Sequence, residues 1–331
     1  MFFKFLRRAM LPLVFLAVFS LALGACSPAT PAKPTETPAP RTHVIKHSLG
    51  ETTITGTPKR VIALEWTYVE DLLAVGVQPV GVADIEGYNT WVKIPVALSK
   101  DAVDVGLRGE PNLETIASLK PDLIIGVAYS MGQSYDKLNA IAPTLVFDPY
   151  PTDEKISQYE EMRTTFMTIA EVTGRTEQGQ AALKHMEDQF TAKRAEVEKA
   201  GLKDQKFILS QIFSWENAIT ARLFTENGMA TQIVEQLGLQ NGWDGGFQQY
   251  GFSEVSIEKL KDLGDVHFFY VVGTDDKVLE LEQVSAVWKS LPFVKANHAY
   301  PLGGDTWLFG GPLSAELVAE IVVNSLTGKT P

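Results

Sequence analysis

"GLRGEPNLETIASLKPDLIIG", residues 106–126, sets the reading of the whole chain. Asn112 to Lys120 has the character of a short helix, and Pro121 stops it because proline cannot continue the hydrogen-bond ladder. "DLIIGVA" then runs apolar without alternation, as a strand covered on both faces does. Helix, proline, buried strand is the unit of an α/β protein. In front of it, Arg108 stands between glycine-rich turns, a long cation in a bare loop.

The same unit recurs in both directions. Upstream, "RVIAL" (60–64) and "PVGVAD" (79–84) read as strands, with "YVEDLLAVGV" between them as a helix that ends at Gly76. Downstream, "LNAIAP" and "TLVFD" form another helix–strand pair. The rhythm then changes. From Asp153 to Thr173, Ile156, Tyr159, Met162, Phe166 and Ile169 recur every three or four residues, predicting one long helix ended by Gly174. A second helix is expected over Glu177–Lys199, ended by Gly201. Strands and helices resume with "FILSQIF", "MATQIVEQLG", "IEKLKDLG" and "VHFFYVVG", continue through "WKSLPFVKANHAYPL", and finish in a helix over Ser314–Leu326. "LETIASLKPDLIIGV" and "IEKLKDLGDVHFFYV" echo each other, each a helix that begins with an acid and leads into a strand. The fold class expected is α/β: two lobes with central, mostly parallel sheets flanked by helices, bridged by one long helix. The lobes are expected over 42–152 and 175–331, with the bridge over 153–174.

The N-terminus is not fold. Lys4, Arg7 and Arg8 precede an apolar run from Ala9 to Leu23, the pattern of a signal peptide over residues 1–25. It closes on "LGAC", which resembles a lipobox and marks Cys26 as the lipidated residue. Residues 26–41, rich in proline, threonine and alanine, read as an extended tether. Cys26 is the only cysteine, so the chain forms no internal disulfide and its core must hold it. An extracytoplasmic protein anchored through lipid is expected. Removing the leader's three cations takes the formal charge from −11 to about −14, which argues against nucleic acid as a partner.

Enzyme chemistry finds no foothold. Neither a phosphate-binding glycine loop nor a G-x-S-x-G elbow is present. His43, His47, His185, His267 and His298 lack metal-ligand spacing, and His43 with His47 reads as a solvated pair. No cofactor or directly bound metal is expected. Aromatic residues instead gather where strands end, the place ligands occupy in open α/β sheets. Trp66 and Tyr68 follow the first strand, Tyr88 and Trp91 the second, and Tyr129 follows "LIIGVA". Trp243, Phe247 and Tyr250 lie in "NGWDGGFQQYG", and Trp307 in "GGDTWLFGG". Any one of them could complete a core; together, among glycines, they describe a binding surface. Arg108 either pairs with Glu110, stays solvated, or offers its guanidinium fork to ligand oxygens.

"ALEW", "DVGLRGEPNLE", "LKPDLII", "NGWDGGFQQYG" and "GGPLSA" resemble the substrate-binding proteins of ABC importers for iron–siderophore complexes, above all the ferric hydroxamate branch, over about residues 57–326. The resemblance implies a monomer with a shallow ligand cleft between its lobes. It implies Arg108 and Tyr129 as polar contacts to hydroxamate oxygens, and Trp66, Tyr88 and Trp307 as aromatic wall. Trp243 and Tyr250 complete the expected site, Tyr250 standing where the family has tryptophan. It further implies that Glu114 and Glu258 dock, one per lobe, on a permease served by its ATPase. A ferric tris-hydroxamate is neutral and suits one arginine with tyrosine hydroxyls, whereas a tris-catecholate carries three negative charges. Binding of another iron chelate, haem or cobalamin is the alternative within this class; an extracellular enzyme or adhesion module is the alternative outside it.

Overall fold

The strands Val61–Ala63 and Leu123–Val127 are buried along their whole length, as strands covered on both faces must be. The computed structural model describes residues 42–215 and 218–329; the signal segment and the whole tether, Cys26 included, lie outside the described residues. Val61–Ala63, Gly81–Val82, Val103–Asp104, Leu123–Val127 and Thr144–Phe147 pair in parallel throughout. Numbered along the chain, their spatial order is 3-2-1-4-5. That order reverses between the first and fourth strands, which places a crevice beyond their carboxyl ends.

The second sheet is mixed. Lys206–Trp215 pairs in parallel with His267–Val271 and Gln240–Asn241, and antiparallel with Ala218–Phe224. Phe252–Ser256 and Ala299–Pro301 form its edges. The antiparallel strand Ala218–Phe224 was not read from the sequence, since Thr220 and Arg222 interrupt its apolar run. Another departure is the hairpin Thr42–His47/Gly50–Thr55, which docks on the first sheet through Thr52 Oγ1 to the Thr144 carbonyl at 2.8 Å. Its histidines are partly buried and do not converge: His43 faces Glu171 at 3.4 Å, and His47 meets Thr52 at 3.0 Å.

The two lobes share one helix, Gln158–Val172. Met162, Phe166 and Ala170 enter the core beneath the second sheet, while Ile169 and Val172 enter that of the first. The helix starts later than Asp153 because Asp153 ties up the Lys155 N–H in a local turn. Ser157 and Glu160 then close a capping box. Thr176–Lys199 follows and packs on the last helix, Pro312–Thr327. No helix among the described residues is long and apolar enough to cross a membrane.

Candidate ligand-binding site

At the reversal of strand order the chain builds a polar clamp. Two residues past the first strand stands Glu65, which caps the helix Trp66–Ala74 and accepts the Trp66 N–H at 2.9 Å. Arg108 arrives from the loop after the third strand and donates Nη1 to Glu65 Oε1 at 2.8 Å. Its guanidinium carbon sits 3.7 Å above the Trp66 ring. Tyr129, just past the fourth strand, donates its hydroxyl to Glu65 Oε2 at 2.7 Å. One buried carboxylate thus organises three elements, and Arg108 pairs with it rather than with Glu110. The loop reaches that position through Gly106, at φ +94°, where a Cβ would lie 3.0 Å from the Glu110 carbonyl.

This clamp forms one wall of a cleft of about 430 Å³. The opposite wall is a row across three strands. Arg222 lies in register with Gln211 and Glu254, donating to Glu254 at 3.1 Å and Gln211 at 3.3 Å. Its guanidinium also faces Phe213 and Phe252. Tyr150 closes the gap between walls, with its ring 5.9 Å from that of Tyr129 and 5.2 Å from that of Tyr250. Burial pushes the Tyr150 phenol up to about 12, and burial together with the Glu65 charge raises that of Tyr129. Both hydroxyls therefore keep their protons and remain donors at neutral pH.

The floor is acidic. Tyr68, Asp71 and Glu161 all line the cleft. Burial raises the Glu161 carboxyl to about 7, with Asp148 adding to the effect. Burial, then Glu70 and Glu161, push Asp71 well above the usual carboxylate range. Glu70 itself is used structurally, accepting the Ser314 N–H at 2.8 Å at the start of the last helix.

The sequence-predicted residues divide. Arg108, Tyr129, Tyr250 and Trp307 line the cleft together. Trp66 lies beneath Arg108 as its stacking platform, 4% exposed, with the Trp307 ring edge-on at 5.3 Å. Tyr88 does not reach the cleft: the helix Ile85–Trp91, begun by Asp84 in the left-handed region, turns it into the core of the first lobe. Trp243 also stands apart, packed on the second lobe's core and bonded to Ser253 Oγ at 3.3 Å. Phe247 lines a separate depression. Glu114 and Glu258 are both exposed, each the second residue of its helix, Leu113–Ser118 and Ile257–Leu263.

Sequence reasoning missed Glu65, Tyr150, Glu161 and Arg222. Glu65 and Tyr150 could have been found by the strand-end rule that found Tyr129. Arg222 could not, because its strand went unread.

A family model described as periplasmic binding protein matches residues 61–306. The Fe(3+)-citrate-binding protein YfmC of Bacillus subtilis (strain 168) is 30% identical over 287 residues, 86% of either chain. The iron(3+)-hydroxamate-binding protein FhuD of Escherichia coli (strain K12) is 29% identical over 272 residues, 82% of this chain and 88% of that one. Among solved structures, the Fe3+–Desferal-bound siderophore-binding protein FhuD from Vibrio cholerae superposes with a TM-score of 0.73 at 27% identity, covering 82% of this chain and 99% of that one. The matched span takes in the clamp, the shared helix and every strand of the second sheet, and the chain belongs to the periplasmic binding protein family, whose members bind solutes and are not enzymes.

Proposed function

We propose that the protein is the lipid-anchored, extracytoplasmic receptor of an ABC importer and that it captures ferric hydroxamate siderophores. The observation that carries this reading is the Glu65–Arg108 pair. The cleft's most prominent cation comes with its counter-charge at 2.8 Å, and the second, Arg222, is matched by Glu254. A neutral ferric tris-hydroxamate needs donors but no excess of positive charge. The Arg108 nitrogens not bonded to Glu65 supply such donors, and the aromatic residues cover the carbon. Ferric citrate and ferric tris-catecholate are anionic and would meet no uncompensated cation among the described residues of the cleft. Iron arrives already chelated and is cargo.

Cys26 is the anchor, residues 42–152 and 175–331 are the lobes, and 153–174 is the bridge. Glu114 and Glu258, one on each lobe, present carboxylates to the permease. Titration of tryptophan fluorescence with ferric hydroxamate, ferric citrate and ferric catecholate tests the reading. Tight quenching by the hydroxamate is expected; tight quenching by either anionic chelate without it would sink the charge argument.

A further inference from the structure

The cleft is lined by more carboxyl groups than cations. With Arg108 matched by Glu65 and Arg222 by Glu254, Asp71 and Glu161 remain on its wall with no cation paired to them among the described residues. Glu161 takes one hydrogen bond, from the Thr165 hydroxyl to Oε1. Its Oε2 has no hydrogen-bond partner among the described residues. Beside it, Asp71 and Tyr68, each 1% exposed, leave Asp71 Oδ1 and the Tyr68 hydroxyl unpartnered. Buried polar atoms are rarely left without partners, because each one costs the free energy of its lost hydration. Unpartnered polar oxygens on three residues that line one ligand cleft are a set that a donor-rich ligand group would complete.

We propose that this floor is a subsite for a protonated amine carried on an arm of the ligand, with Glu161 as its first contact and Asp71 and Tyr68 behind. The inference rests on the hydroxamate reading and narrows it, from neutral ferric trihydroxamates in general to those bearing an ammonium group. An ammonium offers three donors and no acceptor, the complement of the carboxylates and phenol oxygen collected here. The groups that face Glu161 supply no competing cation. Tyr68 and Asp71 face it from the helix Trp66–Ala74, with Glu70 behind them, and Asp148 from the turn after Thr144–Phe147. Gln158 and Thr165 flank it on its own helix, and Arg222, across the cleft, is held by Glu254. Glu161 by itself carries its proton below about pH 7. An arriving ammonium favours the ionised form, so its binding should release a proton at mildly acidic pH.

The test compares a ferric trihydroxamate that bears a free primary amine with its N-acetylated form, by tryptophan quenching at pH 8 and pH 5.5, in the native protein and in Glu161→Gln. The readout is the ratio of the two Kd values. The amine form should bind roughly tenfold tighter at pH 8, the scale of one charge-assisted hydrogen bond. That ratio should shrink at pH 5.5 and collapse in Glu161→Gln. Equal affinities at pH 8, or a ratio that survives the substitution, overturn the subsite and leave the hydroxamate reading standing. Quenching by neither chelate overturns both. Should Glu161→Gln fail to fold, the native protein decides alone: a ratio unchanged between the two pH values overturns the proposal.

Discussion

Arg108 Nη1 stands 2.8 Å from Glu65 Oε1, and that carboxylate is only 5% exposed. The pair makes Arg108 at once a ligand group and a counter-ion, so the loop around it cannot be altered for one role without disturbing the other.

Arg108→Ala should therefore weaken hydroxamate binding and also destabilise the free protein. The arginine is a third exposed, so the cost of leaving Glu65 with only Tyr129 and a backbone amide is set at about 1–2 kcal/mol, below that for a fully buried pair. Urea unfolding measures it. Adding Glu65→Gln should restore most of the stability and none of the binding. A single variant as stable as the native protein would show that the pair contributes nothing to the fold.

Gly106→Ala tests the loop without removing a functional group. A Cβ there meets the Glu110 carbonyl at 3.0 Å and the Asn112 nitrogen at 3.1 Å, both backbone, at a φ of +94°. Stability should fall by about 1–2 kcal/mol. Affinity should fall as well, because the loop that aims Arg108 must shift. Full affinity in a destabilised variant would mean that the clamp tolerates movement of its loop.

Stability should also respond to pH through Glu161. Its folded-state value, about 7, lies above the ordinary 4.5, so the native protein holds more protons than the unfolded chain between these values. Stability from this group is thus present below about pH 4.5 and is lost as pH rises through 7. Glu161→Gln should flatten that slope, gaining on the order of 2 kcal/mol over the native protein at pH 8. Parallel urea titrations at pH 5 and pH 8 report the difference, and identical slopes for the two proteins would refute the assignment.

Glu114→Ala combined with Glu258→Ala removes two exposed carboxylates. Ligand affinity and thermal unfolding should stay within error of the native protein, while siderophore uptake by cells that depend on this receptor should be lost. Normal uptake would remove both residues from the docking surface.

The α/β class, four of the first sheet's five strands and the ligand end of that sheet were legible in the sequence, for a local reason; Val103–Asp104, two exposed residues, was not. A strand buried on both faces is an uninterrupted apolar run, and the residue just past it is at the mouth of the sheet wherever the rest of the chain goes. Tyr129 could be singled out on that basis, whereas Arg108 and Trp307 stood out by their place in glycine-rich loops. Tyr88 followed the same rule and failed it, because Asp84 starts a helix that rotates the tyrosine inward.

What the sequence by itself determined is the set of elements and the kind of chemistry, aromatic and sparingly cationic, that they bring to a cleft. Only the tertiary structure decided the charge of that cleft. Glu65 and Arg108 are 43 residues apart, and Arg222 and Glu254 are 32 apart. Whether two charges cancel depends on a separation of a few ångströms, which strand order and register set and which no local stretch of chain encodes. The same holds for Tyr68, Asp71 and Glu161, whose titration is shifted upward by burial that exists only once the two lobes close around their shared helix.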